Sequence, residues 1–381
     1  MKRFFSFFLI LALPLSACLW DRDTIRAELR GQIGTVKTLV GWFNRYPPLY
    51  YQQRLERVEA ELVTHPAQAS LYDDAAVACD RLGDPTTAIA WMEKKQKLAR
   101  EEEVAPGGPS TRYKTLANLG TFHAHRWIQE TKAGKNPSKQ DLEKAIELVA
   151  AAITENPQAH FNREKYQLLL LQWLNGEENV FSEMVEASFF PRGLNLEEKG
   201  YQDLEEGLLG LIRLGAAWES PDIFFLLQSF YGSERLEHPR LLANLRIAEL
   251  IANEKNFLSP QLEPVFTDPA EISPGGFGSA LSSNLVPTTI SYYEDARRSV
   301  EQREKLRTAY LLKGLENGSH PDTDPGFWDG WEEPDFPELP RAALQQWLTL
   351  ERAVSIVVGV LSLLLLLVIA QGICKVVKPS R

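Results

Sequence analysis

Apolar positions along this chain recur at helical spacing over most of its length and almost never alternate as they would in a strand. The pattern is clearest between Leu71 and Met92. Tyr72, Ala75, Ala76 and Cys79 share one helical face, and Gly83 follows, able to take a positive φ and so to end the helix. Asp84-Pro85 opens the next helix, with proline tolerated in its first turn, and Ala88 and Met92 return the apolar face. Ala75, Ala76 and Ala88 are small enough to let two helices approach closely, while Tyr72 and Met92 fill the flanks. A second unit runs from Leu116. Leu119-Gly120 forms a large-small pair, His123 and Trp127 continue that face, and a following helix carries Ala145, Val149 and Ala152 to a stop at Pro157. Its turn is expanded through residues 132–138. Loop closure grows only slowly with length, about 0.6 kcal/mol per doubling, so the hairpin tolerates this and carries a protruding loop.

The flanks are helical too. Pro47-Pro48 opens a helix through Tyr50, Leu55, Val58 and Leu62 to Pro66, and Phe161, Tyr166, Leu170 and Trp173 predict another after Pro157. Residues 191–317 form a second helical module with leucine-rich faces at Leu208-Leu209, Ile223–Leu227 and Leu241–Ile251, and Ser220-Pro221-Asp222 marks a helix start. Five prolines and Gly275-Gly276 interrupt it between 259 and 287, read as a long surface loop or lid, and a long charged helix resumes near Tyr292 and runs to Glu316. Residues 318–352 then read as a linker rich in proline and aromatics. Its last dozen residues before 340, extended at about 3.1 Å each, would hold the domain roughly 35 Å off whatever follows.

The order aromatic, large-small pair, turn glycine and second-helix alanine, carried by Tyr72, Ala75-Ala76, Gly83 and Ala88, resembles the tetratricopeptide repeat, with Pro66 placed where a preceding unit would close. The likeness extends to Leu119, Gly120, Ala145, Ala152 and Pro157 in the second unit. It implies an all-α solenoid of helical hairpins over 66–190, with helices in 18–65 acting as a cap. It also implies concave faces that bind peptides or helices of partner proteins. Asn118, the expanded turn and exposed polar positions of the first helices are then expected to matter for that binding.

Both ends of the chain carry membrane signals. Ala353–Cys374 is a 22-residue run without a formal charge, long enough to cross a bilayer, and the tail 375–381 carries Lys375, Lys378 and Arg381. At the start, basic Lys2-Arg3 precedes an apolar stretch from Phe4 to Leu13, a signal peptide over 1–17. Leu15-Ser16-Ala17-Cys18 resembles the lipobox of bacterial lipoproteins, which implies a diacylated Cys18 as the mature N-terminus; a plain signal peptide cut near Ala17 is the alternative. Cations mark the cytoplasmic side. The expected arrangement is an exported domain at the inner membrane of a bacterium, a single span and a short cytoplasmic tail, with Trp347 near the outer interface.

A formal charge of −10 argues against nucleic acid as a partner. With only three cysteines, Cys79 has no intrachain mate in the exported part and reads as a small apolar core residue. Candidate chemistry concentrates in His320-Pro-Asp322-Thr-Asp324-Pro-Gly-Phe-Trp328, with Trp331 close by. Histidine and alternating aspartates suit ligand contact or a cation, yet the glutamate and spacing of a calcium loop are missing, and such aspartates also cap turns. His123 and His125 lie too far around a helix to share one metal, and read as one core and one surface residue. The Gly275-Gly276 loop lacks the lysine of a phosphate loop, and hydrolase and zinc signatures are missing. Charge runs such as Glu101–Glu103 and Glu301–Arg307 read as solvated faces. The expectation is a membrane-anchored interaction scaffold without enzymatic activity, cofactor or metal. A ligand- or cell-wall-binding module built on 318–340 is the alternative.

Overall fold

The computed structural model describes residues 34–98, 110–135, 137–157, 163–189, 194–214, 217–233, 236–266 and 285–340. Residues 1–17 expected as a signal peptide, Cys18, Glu101–Glu103, the glycines of the Pro/Gly loop, Trp347, Ala353–Cys374 and the basic tail lie outside the described residues. Those described form twelve α-helices and no strand. None of the helices is long and apolar enough to cross a membrane.

Five hairpin-forming helices follow a short first one. After α1 (Thr35–Val40) come α2 (Pro48–Thr64), α3 (Ala69–Arg81), α4 (Pro85–Leu98), α5 (Thr111–Lys132) and α6 (Lys139–Glu155). Each of α2 to α6 packs on the next, and α3 also touches α5. The α3–α4 turn shows why the sequence was readable there. Gly83 takes φ +87°, so that the Asp84 amide reaches the Cys79 carbonyl at 2.9 Å, and Asp84 in turn caps α4 by accepting from the Thr87 amide at 2.9 Å. Ala75, Ala76, Ala88, Ala145 and Ala152 are all fully buried at helix crossings, as is Met92. Gly120 is required by closeness: a Cβ there would stand 2.7 Å from Val149 Cγ2.

The second half comprises α7 (Arg163–Leu174), α8 (Val180–Phe189), α9 (Leu204–Leu214), α10 (Pro221–Ser233), α11 (Glu237–Ala252) and α12 (Leu285–Glu316). No clean break separates the halves near residue 190. Leu171 and Leu174 of α7 join the core of the hairpins, whereas its Tyr166 and Trp173 join the large second core with Val180, Phe181 and Met184 of α8. On that second side, Gly207 and Gly210 bring α9 against Tyr166 and Arg163.

Three sequence expectations are corrected here. First, residues 18–65 do not act together as a cap. α2 packs on α3, but Val36, Leu39, Val40, Trp42 and Phe43 enter the second core beside Ile223–Leu227 and Tyr292. A six-residue helix has too little surface to bury alone, so it docks where apolar area is largest. Second, the last helix begins at Leu285, not near Tyr292. Pro287 lies in its first turn, where a missing amide hydrogen is harmless. The start of the Pro/Gly segment is also ordered, with Ser259 and Leu262 buried under α10.

Third, residues 318–340 are not a free spacer. They run back along α12 as a strap, through turns up to residue 330 and then a stretch without turns over 331–340. Phe327 lies on Gly314, and its carbonyl accepts from the Tyr310 hydroxyl at 3.0 Å; Glu333 pairs with Arg303; the Pro337 carbonyl accepts from Tyr292 at 3.5 Å; Pro340 and Pro287 line one shallow cavity of about 530 Å³. The lengths agree. From Arg303, which meets Glu333, back to Pro287 the helix covers about 24 Å, and from Glu333 to Pro340 the extended proline-rich segment covers about 22 Å. The length expected as stand-off runs along the helix instead.

Candidate functional site

Three polar clusters are buried in this fold, and the first contains the residues singled out as candidate ligand contacts. Where the strap leaves α12, the Asp322 carboxylate enters a pocket on α2 and its side chain is 0% exposed, as is that of Arg54. Arg54 donates to both of its oxygens, Nε at 2.8 Å and Nη2 at 2.9 Å, and Arg57 Nη2 donates at 2.8 Å. Tyr50 adds its hydroxyl at 3.2 Å and stacks on His320 with ring centroids 4.6 Å apart. The Asp322 amide donates to His320 Nδ1 at 3.0 Å, which leaves Nε2 to carry the proton and donate to the Tyr50 carbonyl at 3.1 Å. Burial lowers the imidazole pKa, so His320 is neutral in its two bonds.

The second cluster joins the first helices of the hairpins to one another. Lys95 of α4, 1% exposed, donates to both oxygens of Asp73 of α3 at 2.7 and 2.8 Å, and Asn118 of α5 donates to the same carboxylate at 3.1 Å. Burial pushes the Asp73 carboxyl up, against Lys95 and Asn118, which pull it down. Two turns along, His125 meets Asp80 at 2.9 Å. His123 and Arg126 share Asp141 of α6, at 2.8 Å each. Burial alone would raise the Asp141 carboxyl, but these two donors outweigh it and hold it below its usual range. Farther on, Tyr113 donates to buried Glu164 at 2.5 Å and Gln167 to Thr121 at 3.0 Å, which ties α5 to α7.

The third cluster joins α12 to the residues that follow α1. Ala296, Val300, Arg303, Arg307, Leu311 and Leu315 form one buried stripe of α12. Its arginines reach the carbonyls after α1: Arg307 donates to Arg45 O at 2.7 Å and Arg303 to Asn44 Oδ1 at 2.8 Å. Arg297, just outside the stripe, donates to Val40 O at 3.0 Å. Trp218 lies beside them with the Arg246 guanidinium 3.7 Å above its ring.

These placements revise the candidate sites. Asp322 and His320 are locked into the α2 clasp. Asp324 accepts from Ser319 at 2.6 Å and from the Gly326 amide at 3.0 Å, a turn-capping role. Trp328 is held between Tyr310 and the Arg307 guanidinium, and Trp331, half-buried like it, bonds Glu333 at 2.9 Å. Asn118, expected on an accessible groove, is fully buried because α3 and α5 meet through it. His123 and His125 are both half-buried and both paired with aspartate, rather than one in the core and one free. Within the Glu301–Arg307 run, Glu301, Gln302 and Lys305 are exposed as a solvated face, but Arg303 and Arg307 are buried. Their place in an apolar stripe of helical period was the signal available in sequence. Pro157 is exposed and stops α6 without packing on it, and Gly83 serves the turn. Tyr72, Cys79 and Leu119 are buried with the alanines. Burial pushes the Cys79 thiol up to about 11, which leaves it unreactive as a thiolate.

Among the described residues, no group of three or more His, Cys, Asp or Glu is placed to hold a metal ion. The buried carboxylates at 73, 141 and 322 have their oxygens engaged by cationic or amide donors, so each joins helices. Fold and clusters together define an all-helical protein whose polar interior ties its halves into one body. Comparison with protein-family models, curated protein sequences and solved structures returns no match.

Proposed function

We propose that this protein is an exported helical scaffold of tetratricopeptide type. It is anchored in the cytoplasmic membrane through Ala353–Cys374, with an acyl group on Cys18 as a second tether, and it recruits other proteins at the outer face. The supporting observation is how burial divides the hairpins. α3 is buried along its whole run from Leu71 to Cys79 and α5 is buried from Ala117 to Phe122, with their polar groups joined to neighbouring helices. α4 and α6 instead keep a charged face in solvent, with Glu93, Lys94 and Lys97 on one and Glu143, Lys144 and Glu147 on the other, and the turn after α5 protrudes through exposed Gly134 and Lys135. Mixed charge beside the half-buried ring of Trp91 suits a protein partner better than a polyanion. A partner is therefore expected on the outer helices, not in a groove between α3 and α5.

Photo-reactive residues at Lys94 and Glu143 of the full chain in its native membrane test this reading. A reproducible protein adduct from these sites, with none from Glu294 of α12, is expected. Adducts that do not differ among the three sites, or no adduct at all, would count against it.

A further inference from the structure

The second core and the strap bring the two ends of the described chain to one place. Lys37, three residues into the chain from Gly34, sets its ammonium 5.1 Å from the Phe336 ring centroid, and Trp42 meets the same ring edge-on at 5.1 Å. Thr35 donates to Glu205 at 2.8 Å, and Tyr231 donates to the same oxygen at 3.0 Å. Tyr231 lies at the end of α10, and His238, opening α11, stands 5.8 Å from Tyr292. Pro340 and Glu338 border Pro287, Thr288 and Ser291 in the first turns of α12. Gly34 and Pro340, the outermost described residues, thus both lie toward the amino end of α12. Three helical residues, four extended ones and the joining side chains bound their separation at roughly 30 Å.

The far end of the same helix lies about 48 Å away, given its 32 residues. There Leu311 and Leu315 pack on Tyr50, Tyr51 and Ala78 of the hairpins. A long rigid element therefore has both ends of the described chain at its foot and the start of the hairpin array at its head.

Resting on the membrane-tether reading above, we infer that the lipid bilayer is the partner of this foot. The domain stands on the membrane with the first turns of α12, Thr35 and Pro340 facing it, and with α2 and α3 held outward. The connecting lengths select this face. Sixteen Cα–Cα steps join Cys18 to Gly34 and thirteen join Pro340 to Ala353. Drawn out straight at about 3.5 Å per residue, the two connections reach about 56 and 46 Å, so turning the foot of the helix, about 48 Å long, away from the bilayer would need both at or near full extension. Because the strap returns along α12, both tethers arrive at one end. A free spacer starting at Asn317 would have let the domain tumble with its hairpins against the lipid.

The test uses the full-length chain reconstituted in phosphatidylcholine vesicles that carry a headgroup energy-transfer acceptor. A clickable residue is introduced at exposed Ser291 or exposed Asn317, which leaves the native cysteines untouched. With about 39 Å of helix between the two sites, transfer from a donor at 291 is expected to exceed that from 317 by about five-fold or more. Equal transfer, or more from 317, overturns the orientation while the chain remains vesicle-bound. Failure of the full chain to stay with the vesicles overturns the tether reading and the orientation with it. Replacing Arg303 and Arg307 together by methionine, which frees the strap's middle, should narrow the difference between the sites. An unchanged ratio in a variant shown by helical circular dichroism to remain folded would refute the strap's part in the argument.

Discussion

Replacing Asp322 by alanine removes a single carboxylate yet strips three charge-assisted hydrogen bonds, from Arg54 Nε and Nη2 and from Arg57 Nη2. Arg57 is partly exposed and recovers hydration. Arg54 does not, because its side chain is 0% exposed, packed against the Tyr50 ring and hydroxyl. Breaking one side of a buried ion pair costs about 3–5 kcal/mol, mostly as the penalty of the charge left behind. With a urea slope near 3 kcal/mol/M, the unfolding midpoint should fall by roughly 1–2 M. Pulse proteolysis of the full chain across a urea series measures this without removing the membrane segment. The double variant Arg54→Met with Asp322→Leu should recover much of the loss, since the abandoned charge has gone. A midpoint for Asp322→Ala within experimental error of the parent would refute the claim that the strap is clasped to α2. So would a double variant as weak as the sum of its singles.

Other expectations follow the same reasoning. Lys95→Met leaves Asp73 buried beside Asn118 and should cost about 3–5 kcal/mol, with Asp73→Leu in the same chain restoring part of it, again read by urea midpoints. Gly120→Ala drives a methyl to 2.7 Å from Val149 Cγ2 and 3.3 Å from the Ala145 carbonyl; the side chain can turn but the backbone cannot, so a loss of about 1–3 kcal/mol and a lower Tm are expected, eased by Val149→Ala. His238 is fully buried with neither ring nitrogen bonded, and burial holds its pKa down to about 4. Between pH 6.5 and 4 the unfolded chain takes up a proton that the fold refuses, so stability falls as pH drops through that window, by about 3 kcal/mol in all. Urea midpoints at pH 7 and 4.5 should differ less in His238→Phe than in the parent.

The helical hairpins were legible because their determinants are local. Tyr72, Ala75 and Ala76 repeat at the helical period, Gly83 takes φ +87° without strain because it has no Cβ, and Asp84 caps the helix it begins. The burial of Ala88, Ala145 and Ala152 follows from size alone. The candidate ligand segment misled for an equally physical reason. His320, Asp322 and Asp324 have the donors and acceptors that a ligand site needs, and a clasp between distant helices needs the same ones. Sequence carries no record that Arg54, 268 positions earlier, is the partner.

By itself the sequence determined the all-helical class, the position of most helices, the small residues at their crossings and the charge pattern of the two chain ends. Each depends on neighbours within a few turns. Only the tertiary structure decided that α1 enters the second core, that Arg303 and Arg307 face inward, and that residues 318–340 return along α12. Those outcomes depend on where unpaired apolar area and unsatisfied carbonyls remain once the helices have assembled. An extended proline-rich segment has no internal hydrogen bonds to fix its course. The surface it meets fixes it, and here that surface brings both ends of the described chain to the foot of one helix.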